Sequence, residues 1–216
     1  MLIGVTGFAQ HGKDSTGQVL AERYGFKRYA FADQLKSMAL ALNPIVQSYP
    51  FPRHPQRLRG VVGFLGWEKA KEIGEVRRFL QVLGTEGVRE HVGEDAWIEA
   101  LELVLKKDGQ ADRQGIAYGA KVVVTDVRFP NEADWIHRRG GYLWRVKRLE
   151  KAEDFYKPFD NGIGREHPSE RYIADLNDDR RLIASNLDEL SEEVERAWTN
   201  LMIDTGLKSW SPKKTG

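Results

Sequence analysis

The sequence predicts an α/β fold: a mainly parallel five-stranded sheet with helices on both faces. Three observations lead there. Short apolar, β-branched runs alternate along the chain with amphipathic stretches of helical length. Val122-Val123-Val124 is apolar at consecutive positions, as a central strand covered on both sides requires. A glycine-bearing turn leads from the first apolar run straight into the first amphipathic stretch.

Taken in order, Leu2-Ile3-Gly4-Val5-Thr6 reads as a buried strand ending at Gly7. Lys13 to Tyr24 reads as a helix with Val19, Leu20 and Tyr24 on one side, stopped by Gly25. Lys27 to Phe31 is expected as a second strand, after which Asp33 caps a helix carrying Leu35, Met38, Ala39 and Leu42. Asn43 to Gly66, with Pro44, Pro50, Pro52 and Pro55, is expected to be irregular. No acidic residue occurs between Asp33 and Glu68, so Lys36, Arg53, Arg57 and Arg59 make a local cationic patch, either a plain surface loop or an anion-facing flap. Val76, Phe79, Leu80 and Leu83 mark a helix ended by Gly84, and Trp97, Leu101, Val104 and Leu105 mark the next. After a polar loop, 106–119, come a strand at Lys121–Thr125, a helix opened by Pro130 and closed by Gly140-Gly141, and a strand at Tyr142–Lys147. The stretch 150–179 is charged and irregular, and Leu182–Ser185 is a fifth strand. Leu187, Leu190, Val194, Ala197 and Leu201 define a long terminal helix, and the tail from Lys208 is expected to fray.

Composition sets bounds. The 216 residues carry 33 Lys+Arg against 32 Asp+Glu, a net charge of +1, which disfavours a globally basic nucleic-acid coat and an acidic disordered chain alike. Hydrophobic residues make up 41%, enough for a buried core. With no cysteine, disulfides, thiol catalysis and cysteine-type zinc sites are excluded. No apolar run is long enough to cross a bilayer, and the N-terminus lacks a signal-peptide pattern, so a soluble cytoplasmic protein with no membrane partner is expected.

Gly7-Phe8-Ala9-Gln10-His11-Gly12-Lys13 matches G-x-x-x-x-G-K between a strand and a helix, the context this phosphate-binding motif requires. Its glycines let the backbone curl so that amides converge on phosphate oxygens, the helix end adds its dipole, and Lys13 brings a positive charge to the β and γ phosphates of a nucleoside triphosphate. His11 is a loop residue facing solvent or substrate. The next position holds Asp14 where Ser or Thr usually coordinates Mg²⁺, so Ser15 or Thr16 supplies the hydroxyl instead. Val122-Val123-Val124-Thr125-Asp126 has the form of a Walker-B strand whose acid holds Mg²⁺ or its water shell, with the alternative that Asp126 caps the following turn. Arg128 falls at the same sheet edge, where a guanidinium neutralises phosphoryl charge.

These residues carry a family resemblance. Gly12-Lys13-Asp14-Ser15 resembles the G-K-D-[ST] loop of bacteriophage deoxynucleoside monophosphate kinases, and Phe31-Ala32-Asp33-Gln34-Leu35-Lys36 resembles their F-A-D-x-L-K segment. Leu80-Gln81-Val82-Leu83-Gly84-Thr85-Glu86, with Arg89 and Trp97, is similar to their L-Q-x-x-G-T-E…R…W block. Asp126-Val127-Arg128-Phe129-Pro130-Asn131-Glu132 is similar to D-x-R-F-x-N-E, and His167-Pro168-Ser169-Glu170 to an H-x-S-E lid element. The blocks run in order over nearly the whole chain. The resemblance implies a P-loop kinase fold in one domain, with a core at about 1–42, 75–149 and 180–205, a flap that binds the monophosphate at about 43–74 and a lid at about 150–179. It implies Mg²⁺-assisted transfer of the γ-phosphoryl group of ATP to a deoxynucleoside monophosphate. A G-K-D loop and a D-x-R element also occur in phosphomevalonate kinases of the animal type, which keeps a small-metabolite acceptor open, as is a non-catalytic nucleotide-binding module.

On this reading Gly7, Gly12, Lys13, Asp14, Ser15 and Thr16 bind ATP, Ser15 and Asp126 serve the metal, and Lys13, Asp126, Arg128 and Arg148 act on the transferring group. Arg165 in the lid and Asn186, near the adenine, complete the donor side. Arg89 grips the acceptor phosphate or is a solvated helix residue. Asp33 and Lys36 face the acceptor or form a surface ion pair. Gln81 reads a base edge or lies on the surface, and Trp97 is a core residue or a stacking platform. Glu132 holds Arg128, the acceptor sugar or the helix start, and His167 lies in the lid. The partners expected are ATP and a deoxynucleoside monophosphate, with no stable nucleic-acid binding and with a homodimer left open.

Overall fold

The computed structural model describes residues 1–46, 56–149 and 172–206. In chain order the elements are β1 (Leu2–Thr6), α1 (Lys13–Tyr24), β2 (Lys27–Tyr29), α2 (Phe31–Leu42), β3 (Ile45–Val46), β4 (Gln56–Arg57), α3 (Leu58–Ala70), α4 (Gly74–Val82), a π-helical turn (Leu83–Arg89), α5 (Ala96–Lys107), β5 (Val122–Val127), α6 (Pro130–Arg138), β6 (Tyr142–Arg148), a 3-10 turn (Ile173–Asp175), β7 (Arg180–Ala184) and α7 (Leu187–Asp204). They divide into two compact units, one of residues 1–30 and 102–216, the other of Phe31–Leu101, with α5 running across the division.

The first unit holds a five-stranded sheet in the order β2-β5-β1-β6-β7, with every neighbouring pair parallel. All five residues of β1 are buried, because the strand lies at the centre of the sheet with helices on both faces. On one face Ile3, Val5, Val123, Trp144, Val146 and Leu182 pack with Leu20 and Tyr24 of α1 and with Val194, Ala197 and Trp198 of α7. The 3-4 spacing on α7 is therefore its core stripe. On the other face α6 lies so close that a side chain on Gly4 would come within 2.9 Å of Ile136. Among the described residues no helix is long and apolar enough to cross a membrane.

The second unit has its own core of Ala39, Val46, Leu58, Val61, Ala70, Val76 and Leu80. Three sequence expectations change here. The irregular stretch 43–66 gives way to helix α3 from Leu58: the prolines stop at Pro55, and Leu58, Val61 and Leu65 repeat at helical spacing onto this core. Gly60, Gly63 and Gly66 obscure that pattern, and Gly66, at φ 72°, breaks the helical ladder near its end. Gly84 does not end the helix that precedes it. The chain continues as a π-helical turn, and Gly84 lies against Leu35, whose Cδ2 a β-carbon there would approach to 3.1 Å. Phe31 is helical rather than strand and opens α2, so Asp33 stands inside its first turn instead of capping it, where a carboxylate is still favoured by the helix dipole. In the first unit β5 reaches Val127, two residues past the expected end, and β7 begins at Arg180.

Candidate phosphate-binding site

Because the five strands are parallel, the segments that follow β1, β5, β6 and β7 all leave one edge of the sheet. From β1 the chain goes first to β2 and β5 on one side and later to β6 and β7 on the other, which makes that edge a topological switch point.

The loop 7–12 lies at this crevice. A β-carbon on Gly7 would stand 2.5 Å from the Val146 carbonyl oxygen, so only glycine lets the loop pass β6 this closely. Gly12 has φ 100° and begins α1 from a left-handed conformation, leaving the first amides of the helix without a side-chain cap. Gln10 is also left-handed, at φ 62°. The Lys13 ammonium folds back over the loop and donates to the carbonyls of Gly7 and Phe8, each at 2.7 Å. The Thr16 hydroxyl is buried and donates to the Gly12 carbonyl at 3.0 Å, while Ser15 is partly exposed. Asp14 accepts a hydrogen bond from Arg28 Nη2 at 2.6 Å and one from the Thr125 hydroxyl at 3.4 Å. A β-carbon on Gly17 would lie 2.3 Å from Thr125 Cγ2, so the first turns of α1 rest directly on the end of β5.

That end of β5 is not a plain strand. Its register against β1 slips between Gly4 and Thr6: Gly4 pairs with Val124, but Thr6 pairs with Val127. The extra residue is a β-bulge at Thr125-Asp126, a device that re-aims side chains. Thr125 faces α1, Val127 faces Gly4 on the opposite side, and Asp126 between them is half-buried. Arg128 follows, also half-buried. Glu132 is buried, and its Oε2 accepts the amides of Arg128 at 2.8 Å and of Phe129 at 3.1 Å, bracing the turn into α6. Arg148 is the exposed last residue of β6. Arg145, on the same strand, donates to Asp178 at 2.6 Å and to the carbonyls of Ile173 and Leu176, and so ties 173–178 to the sheet. Burial works to raise the Asp178 pKa, but hydrogen bonds from Arg181 and Arg145 outweigh it and hold the carboxyl below its usual range. Asn186 caps α7, its Oδ1 accepting the Glu189 amide at 2.9 Å, and its side chain is exposed.

The remaining candidates belong to the second unit. Lys36 and Asp33 form an i,i+3 ion pair at 3.6 Å. Gln81 is partly exposed on α4. Arg89 is only 8% exposed and donates to the Glu94 carbonyl at 3.1 Å, and Trp97 is buried with its indole N–H on the Gly84 carbonyl at 3.0 Å. Arg165 and His167 lie outside the described residues.

Sequence reasoning missed Arg28, Thr125 and Gly17. The alternation of Lys27-Arg28-Tyr29 puts Arg28 on one face of a strand, but its pairing opposite Val123 is a long-range fact. For Mg²⁺ the donor chemistry fits: the Ser15 hydroxyl and the Asp126 carboxylate are hard oxygen ligands, and this ion is commonly held by one or two such groups together with phosphate and water.

Comparison with known proteins follows the same line. No protein-family model matches the chain. A protein of Acanthamoeba polyphaga mimivirus with the provisional name deoxynucleotide monophosphate kinase is 28% identical over 166 residues, covering 73% of this chain and 79% of its own. Among solved structures, shikimate kinase from Aquifex aeolicus matches with 13% identity and a TM-score of 0.46, over 94% of this chain and 99% of its own. Dephospho-CoA kinase from Campylobacter jejuni matches with 14% identity and a TM-score of 0.46, over 95% and 98%. In sequence the chain is similar to the mimivirus protein of that provisional name.

Proposed function

We infer that the chain is an ATP-dependent phosphotransferase whose acceptor is a deoxynucleoside monophosphate, yielding the diphosphate and ADP. The observation that carries this is the loop between β1 and α1. It combines a left-handed Gly12, uncapped helix amides and Lys13 at the sheet edge where β5 delivers Asp126 and Arg128. The mimivirus relative and the ordered motif blocks support the choice of acceptor.

The triphosphate of ATP lies along the amides of the Gly7 to Thr16 segment. Lys13 exchanges the carbonyls of Gly7 and Phe8 for oxygens of the β and γ phosphates. An oxygen of the acceptor phosphate forms a bond to the γ phosphorus, the bond to the β–γ bridging oxygen breaks, and ADP departs with that electron pair. The acceptor oxygen is already anionic at neutral pH, so no side chain has to take a proton from it. Arg128 and Arg148 offset the charge on the transferring group, and Glu132 holds the turn that carries Arg128. Ser15 and Asp126 are the residues that would hold Mg²⁺, which would supply further neutralisation of phosphate charge. Asn186 serves the adenine side. Arg89 and Lys36 supply cations to the acceptor phosphate, and Asp33 and Gln81 supply polar groups to its sugar and base; Trp97, buried with its indole N–H on the Gly84 carbonyl, belongs to the core. Arg165 and His167 are assigned to a lid that excludes water, which would otherwise accept the phosphoryl group.

The test is ADP release from ATP with dAMP, dGMP, dCMP, dTMP and phosphomevalonate offered separately. Release with at least one deoxynucleotide and none with phosphomevalonate is expected, and Lys13→Ala should slow it by at least about 100-fold, as loss of a charge on the transition state does. Release with phosphomevalonate alone would move the chain to the metabolite kinases. ATP binding without transfer to any acceptor would make it a binding module.

A further inference from the structure

Position 14 holds a carboxylate where a phosphate-binding loop ordinarily carries a hydroxyl. Asp14 is the second residue of α1, and its side chain is 80% exposed. The field at a helix N-terminus favours negative charge, so Asp14 and an incoming polyphosphate compete for the same few amides and repel one another. Arg28 answers that charge. Its Nη2 stands 2.6 Å from Asp14 Oδ1, and the Thr125 hydroxyl donates to the same oxygen at 3.4 Å. Arg28 projects from β2 opposite Val123, and Thr125 lies two residues further along β5, so both partners draw the carboxylate toward the sheet. The absence of a side chain on Gly17 keeps α1 close enough for this, since a β-carbon there would strike Thr125. As an exposed ion pair the contact does little for folding, and its consequence lies in the charge that the loop presents.

We propose that Arg28 is a positioning residue for polyphosphate binding: it neutralises Asp14 and holds that carboxylate against the β2–β5 side of the helix, so that the loop meets the triphosphate without a competing anion. The proposal rests on the nucleotide reading above and adds to it a residue that touches no phosphate itself.

ATP binding to the full chain, measured by calorimetry without added Mg²⁺, tests it. The variants are Arg28→Ala, Arg28→Lys, Asp14→Asn and the double variant Arg28→Ala/Asp14→Asn. At low salt Arg28→Ala should weaken binding about tenfold, equivalent to about 1.4 kcal/mol, while Arg28→Lys keeps most of the affinity. The loss should shrink at about 0.5 M salt, where exposed charges are screened within a few ångströms. With Asn at position 14, removal of Arg28 should change affinity by no more than about twofold, the signature of coupling between two sites. A packing role would lower the unfolding temperature and would be neither salt-dependent nor rescued by Asp14→Asn. Equal losses from Arg28→Ala in both backgrounds would overturn the proposal, since Arg28 would then touch the phosphates directly. So would an Asp14→Asn variant that binds ATP as poorly as Lys13→Ala, since Asp14 would then be a ligand, and so would an Arg28→Ala variant that binds like the wild type. A wild-type chain that fails to bind ATP would remove the nucleotide reading itself and this inference with it.

Discussion

Gly17 is the residue on which the loop's placement turns. In a free helix, replacing it with alanine would gain about 1 kcal/mol of helix propensity. Here the added methyl meets Thr125 Cγ2 at 2.3 Å, so α1 or β5 must shift. Gly17→Ala is expected to destabilise the chain by about 1–3 kcal/mol, the usual cost of overpacking, and to weaken ATP binding. Adding Thr125→Ser removes Cγ2 but keeps the hydroxyl, and should restore much of both. Denaturant unfolding and nucleotide titration of the single and double variants check this. At this scale the sequence was legible where chemistry is local. Gly7, Gly12 and Lys13 announce a phosphate loop because seven consecutive positions do the work. Asp14 departs from the loop pattern, and its partner Arg28 was not legible because it comes from β2 and no spacing rule links the two.

Among the elements, the segment 173–178 depends on one buried carboxylate. Asp178 is 6% exposed and lies between Arg145 and Arg181, with the Arg145 guanidinium also meeting two carbonyls of the same segment. Its pKa lies below the ordinary 3.8. The sign follows from linkage: a carboxyl whose folded pKa is depressed stabilises the fold above its unfolded pKa, and that contribution disappears as pH falls through the folded value. The stability gap between the wild type and Asp178→Asn should therefore be constant from neutral pH to about pH 5 and should narrow below the unfolded value of 3.8. Urea titrations across that range measure it. Element boundaries were legible where a periodic pattern or a stop residue marked them, as at Gly25 and along α7. They failed at α3, where three glycines diluted the apolar repeat, and at Gly84, where a residue type that usually ends helices serves close packing against Leu35. The bulge at Thr125-Asp126 was not legible, because it is a property of two strands in register rather than of either one alone.

For the whole molecule, the parallel sheet followed from the alternation of apolar runs and amphipathic stretches, but the strand order did not, since nothing local says that β5 inserts between β2 and β1. The core of the first unit gathers on Trp198, which is 2% exposed and packs on Tyr24 and Phe26 with ring centroids 5.1 and 5.3 Å apart. Trp198→Ala should cost about 3–5 kcal/mol, visible as a large drop in the denaturant midpoint. The central place of β1 has a consequence for how the chain comes to be folded. Leu2 lies beside Val122, and Ile3 beside Tyr142. β1 therefore waits for neighbours that lie more than a hundred residues further along the chain. High contact order of this kind slows folding and leaves apolar backbone unsheltered meanwhile. The centre of the sheet thus closes through its most distant pairings.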